Sequence, residues 1–99
     1  MNNVYVIRWV RHRDGITESG NFEWCYLRET DAIAAMREDM KNVRKEWKTE
    51  VGKTAKVRSK TRDDYGVVWV RDGYDMNHSW FIDCLGTISG DKTDGFEND

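Results

Sequence analysis

The chain has 99 residues, 38% hydrophobic and 34% charged, with five Trp, four Tyr and three Phe and a formal net charge of −2. That supply of bulky side chains excludes a disordered charged tail, and the length limits the protein to one modest core. No apolar run approaches the roughly 18 residues of a membrane span. The N-terminal "MNNVYVIRWVRHR" lacks an apolar signal segment followed by small residues, so a cytoplasmic protein that does not enter a membrane is expected.

In chain order, "VYVIRWV" (4–10) and "FEWCYL" (22–27) are rich in β-branched and aromatic residues. The turn-rich "RDGITESGN" (13–21) between them predicts a hairpin with a long tip. From Thr30 the period changes. Ile33, Met36, Met40, Val43, Trp47 and Val51 recur at three- and four-residue spacings, which stack on one helix face. Thr30 or Asp31 is the expected N-cap and Gly52 the stop.

Strand periodicity returns in "AKVRSKTR" (55–62), "YGVVWVR" (65–71) and "SWFIDCL" (79–85), with Asp63-Asp64 and "DGYDMNH" (72–78) as turns. The order ββαβββ predicts an α+β fold: a four- to five-stranded antiparallel sheet with one long amphipathic helix packed across it. The domain is expected to span 1–88, followed by a flexible acidic tail over 89–99.

One helix covers one face of a sheet. Yet Tyr5, Ile7 and Trp9 alternate with Val4, Val6 and Val10, and Tyr65, Val67 and Trp69 alternate with Val68 and Val70. Part of a second apolar face is therefore expected to be available to a partner or a second copy, unless loops and the C-terminal segment cover it. Cys25 and Cys84 fall in these strand-like stretches, where buried reduced thiols are expected and a disulfide is open only if the strands are neighbours.

Charge is unevenly laid out. Residues 1–36 hold four bases and five acids, 37–62 ten bases and four acids, and 63–99 two bases and nine acids. On the helix, Arg37, Lys41, Arg44, Lys45 and Lys48 cluster beside the apolar stripe, with Asp39, Glu46 and Glu50 on the other flank. The i,i+4 charge pairs Arg37/Lys41, Lys41/Lys45, Arg44/Lys48 and Glu46/Glu50 are all of like sign, which costs helix stability where opposite pairs would add to it. Such repulsion points either to cross-element pairing with the acidic 63–99 block or to a binding surface.

Alternation puts Lys56, Arg58, Lys60 and Arg62 in one row spaced by about 6.6 Å. The row suits a phosphate backbone, or it guards an edge strand against association. If the helix and strand rows lie side by side they make a binding surface; on opposite sides they mostly serve solubility and edge protection. Asp63, Asp64, Asp72 and Asp75 are the candidates for an acidic contact surface.

Signs of chemistry are missing. His12 and His78 have no Cys or carboxylate at metal-ligand spacing, the 72–78 loop lacks a calcium-loop pattern, and the glycines are too scattered for a phosphate loop. No catalytic residue, metal or cofactor is expected.

The leading expectation is a small non-enzymatic interaction or inhibitor protein. In biological setting it would be a phage or mobile-element accessory factor that binds a protein partner and blocks a host nucleic-acid-processing protein. Two alternatives stand beside it. One is sequence-tolerant RNA or DNA binding through backbone contacts, against which the pI near 5.7 weighs. The other is a structural homodimer through the uncovered sheet face.

Overall fold

A computed structural model describes residues 3–71 and 74–87. The elements are β1 (Asn3–Arg13), β2 (Ile16–Tyr26), α1 (Glu29–Val51), β3 (Val57–Arg62), β4 (Tyr65–Val70) and β5 (Met76–Thr87). All strand pairs are antiparallel and the spatial order is β2-β1-β5-β4-β3, so among the described residues the fold is α+β with a single helix on a five-stranded sheet. The tail at 89–99 and the Asp72-Gly73 pair lie outside the described residues.

The first hairpin differs from the expected long tip. Asp14 and Gly15 both have positive φ, 54° and 82°, and Arg13 pairs directly with Ile16. This is the geometry of a two-residue Asp-Gly turn whose twist matches the strands it joins. The polar residues Thr17, Glu18 and Ser19 therefore continue the ladder, with their side chains exposed. Asp75 ties the tip down: its carboxylate accepts the Gly15 N–H at 2.8 Å, and its carbonyl accepts the Asp14 N–H at 2.9 Å.

The helix also begins earlier than expected. Arg28 is the N-cap with no side-chain hydrogen bond, and its carbonyl accepts the N–H groups of Asp31 and Ala32. Thr30 and Asp31 thus lie inside the first turn, where Glu29 and Asp31 complement the helix dipole. Gly52 ends the helix as expected, at φ 59°, donating its N–H to the Lys48 carbonyl at 3.0 Å.

The core lies between α1 and one sheet face. Ala32, Met36, Met40, Trp47 and Val51 meet Ile7, Val57, Val68, Val70, Met76, Trp80 and Ile82. Ile33 and Val43, expected in the central stripe, sit half-buried at its margins. Helix and sheet approach closely at Gly66, where an added Cβ would run into the Met40 sulfur. Gly66→Val is expected to cost about 1–3 kcal/mol by overpacking. In urea denaturation, the double variant with Met40→Ala should be less destabilised than the sum of the two single changes.

Both cysteines are free and exposed, not buried. Cys25 is in register with Val6 and Cys84 with Tyr5, so β1 separates them by two strand spacings, roughly 9.5 Å. That exceeds the reach of a disulfide. Among the described residues no helix is long and apolar enough to cross a membrane.

Candidate functional site: a basic sheet edge

Among the described residues β3 is the last strand of the sheet, so one of its sides has no strand partner there. Val57 is buried beneath α1, which sends Ser59 and Thr61 to the helix side and Arg58, Lys60 and Arg62 to the opposite face. All three cations are exposed, as is Lys56 just before the strand.

On the helix side, Arg37, Met40, Lys41 and Arg44 form a recess of about 210 Å³ with Ser59 and Thr61. A larger recess of about 650 Å³ brings Arg44 and Lys48 together with Lys56 and Arg58. Lys45 adjoins Lys41, Arg44 and Lys48 further out on the helix. The two cationic rows therefore leave from opposite faces of the sheet but wrap the same edge, and they meet where the helix ends above β3. The arrangement is neither of the two that the sequence posed.

The helix flanks are treated unequally. On the acidic side, Asp39 accepts the Trp80 indole N–H at 2.8 Å and Glu50 pairs with Arg13 of β1. On the basic side, the only ion pair among the described residues is Arg37 to Asp63 at 4.0 Å. The acids of the later chain are engaged elsewhere: Asp83 holds Arg8 at 3.0 Å and Asp75 holds His12 at 2.9 Å. Within the described residues, then, cross-element pairing leaves the belt almost untouched.

The four acidic candidates do not form one surface. Asp63 and Asp64 make the exposed β3–β4 turn, with the Asp64 carbonyl accepting the Ile82 N–H at 3.0 Å. Asp75 sits seven residues away along the chain from Ile82, about 23 Å in an extended strand. There it clamps the β1–β2 turn; Asp72 lies outside the described residues.

The face away from α1 carries a stripe next to the belt. Tyr65, Val67 and Trp69 are half-buried and stand opposite Arg62, Lys60 and Arg58 respectively. On the far side of the stripe, Tyr65 is in register with Phe81, their ring centroids 5.3 Å apart, and the Arg8 guanidinium lies 4.5 Å over the Phe81 ring. No family model, curated protein or solved structure matches this chain.

The strand row and the helix arc were readable from spacing. Arg8, Tyr65 and Phe81 were missed as site residues, although alternation in β1 and β4 marked the second face; what links them is pairing between strands distant in sequence. His78 was missed for a different role. It is buried on the helix side, its ring stacked 4.0 Å from Trp80 at 6° and flanked by Trp9 and Trp47. Among the described residues neither ring nitrogen has a hydrogen-bond partner, and burial pushes its pKa down to about 4, opposed by the Asp39 carboxylate and aided by Arg11. Closed off by these rings, it is a core group. Among the described residues no three His, Cys, Asp or Glu side chains gather as a metal site.

Proposed function

We propose that the protein is a non-enzymatic binding protein that docks on a polyanionic macromolecule through the edge of β3. The observation that carries this reading is the joining of Arg44 and Lys48 with Lys56 and Arg58 in one recess, in a belt whose only ion pair among the described residues is Arg37–Asp63. Edge protection alone accounts for the strand row. It does not account for a like-charged helix flank placed beside it at a cost to the helix. Blocking of a nucleic-acid-processing protein then follows by competition for the covered polyanion.

The test is the salt dependence of binding to a labelled DNA duplex and to heparin. The quadruple variant Lys56→Glu, Arg58→Glu, Lys60→Glu, Arg62→Glu is expected to bind at least tenfold more weakly. If all four cations contact phosphates, the slope of log K against log salt for duplex DNA should fall by about three to four. A variant that binds like the parent would remove the belt from the function.

A protein partner has its own supporting observation. Trp24 is 69%, Leu27 68% and Leu85 59% exposed. The pairings Tyr5–Tyr26 and Tyr5–Cys84 bring their strand ends to one end of the sheet. An exposed Trp is the residue type most enriched in interface hot spots. Here Trp24→Ala is expected to abolish nuclease-resistant capture of a partner while leaving heparin binding intact; retained capture would sink this second reading.

A further inference from the structure

We infer that the sheet face beside the belt, which no element covers among the described residues, is a stacking platform for the bases of single-stranded nucleic acid, a reading that rests on the polyanion-docking edge and gives it a partner class. Three aromatic rings face outward there, and each has a cation beside it. Tyr65 is opposite Arg62, Trp69 is opposite Arg58, and Phe81 lies under the Arg8 guanidinium at 4.5 Å. Tyr65 and Trp69 are four residues apart on one strand, so their rings are spaced by about 13 Å along β4 with Val67 between them. The row Arg58, Lys60, Arg62 runs parallel to this stripe on the neighbouring strand.

A polyanionic strand laid along β3 would place its phosphates on the cations and its bases over the aromatic stripe. Cationic grooves with adjacent ring faces bind single strands in this way, without reading sequence, because every base presents a π-face. A duplex keeps its bases stacked inside and could use only the cations.

A second copy fits the same face poorly. Two-fold pairing across it would set Arg8, Arg58, Lys60 and Arg62 against a partner surface of the same sign. The nearby carboxylate of Asp83 is already held by Arg8 at 3.0 Å. Antiparallel addition of one β3 edge to another would likewise oppose the basic row to itself, which destabilises cross-strand pairs.

The experiment compares four probes by fluorescence anisotropy at one salt concentration: a dT12 oligonucleotide, a U12 oligonucleotide, a 12-base-pair duplex and heparin. The full chain is expected to bind both single strands more tightly than the duplex and to show Trp quenching on binding. Trp69→Ala and Tyr65→Ala should each weaken dT12 and U12 about ten- to a hundredfold and leave heparin binding unchanged. Trp69→Phe, which keeps a ring and fills much of the same space, should retain most of the affinity, and circular dichroism identifies any variant that has not folded.

Single strands bound no more tightly than the duplex, or bound equally by the alanine variants, would overturn the platform while heparin binding kept the docking edge intact. Failure to bind any of the four probes would overturn both. A second-copy interface would instead give twice the monomer mass in sedimentation, lost with Trp69→Ala, and would overturn the platform as well.

Discussion

Between pH 6.5 and 4 the protein is expected to lose about 3 kcal/mol of folding stability through His78 alone. The imidazole is 6% exposed, has no hydrogen-bond partner at either nitrogen among the described residues, and burial lowers its pKa from the open-chain 6.5 to about 4. A folded pKa below the unfolded one means that the unfolded chain binds the proton first. The stabilisation is therefore complete above pH 6.5 and is lost as pH falls toward 4. Burial among Trp9, Trp47 and Trp80 dominates the shift; Asp39 works against it and Arg11 with it.

Carboxylates bound in the fold also respond to acid, so the decisive measurement is a comparison. His78→Phe keeps a flat ring against Trp80 and removes both unpartnered nitrogens. It should raise stability at neutral pH by about 1–3 kcal/mol, the usual cost of buried unsatisfied polar groups. It should also flatten the urea midpoint between pH 6.5 and 4 relative to the parent. Parallel pH profiles for the two proteins would show that His78 is not the acid-sensitive group.

Trp80→Ala is expected to be the most damaging single substitution in the core, at about 3–5 kcal/mol. Trp80 is fully buried on β5, in the middle of the sheet, and joins three features: the His78 stack, register with Trp9 of β1, and the indole N–H donated to Asp39 at 2.8 Å. Against a typical total of 5–15 kcal/mol, that loss is a large fraction of the stability of a domain this small. Trp80→Phe separates packing from hydrogen bonding. It should cost about 1–3 kcal/mol, part of it from leaving the Asp39 carboxylate without its donor. Trp24→Ala, at a 69% exposed position, should stay within about 0.5 kcal/mol. Urea unfolding followed by circular dichroism compares all three, and equal losses for Trp80 and Trp24 would contradict the assignment of the core.

The Asp39–Trp80 bond also explains how the charge of α1 is divided. Its acidic flank is spent on holding the helix: Asp39 reaches the central strand β5 and Glu50 reaches Arg13 of β1. Its basic flank overhangs β3, where Arg44 and Lys48 meet Lys56 and Arg58. The like-sign i,i+4 pairs thus divide one helix between an acidic flank bonded to β5 and β1 and a basic flank over the basic strand β3. Their repulsion, a few tenths of a kcal/mol per pair, is small beside the burial of Met36 and Trp47 beneath them.

What the amino-acid sequence determined by itself is whatever depends on local period. Spacing of three and four placed Met36, Met40, Trp47 and Val51 on one helix face, and spacing of two put Arg58, Lys60 and Arg62 on one side of a strand, because both repeats are properties of the backbone within each element. The tertiary structure alone decided which strands are neighbours. Insertion of β5 between β1 and β4 places Phe81 between Tyr65 and Arg8, separates Cys25 from Cys84, leaves β3 at the edge beneath the basic helix flank, and encloses His78 among three Trp rings. Most of those contacts join different elements of the chain, and they are set by how one sheet and one helix best bury a shared apolar face, a condition that no local repeat encodes.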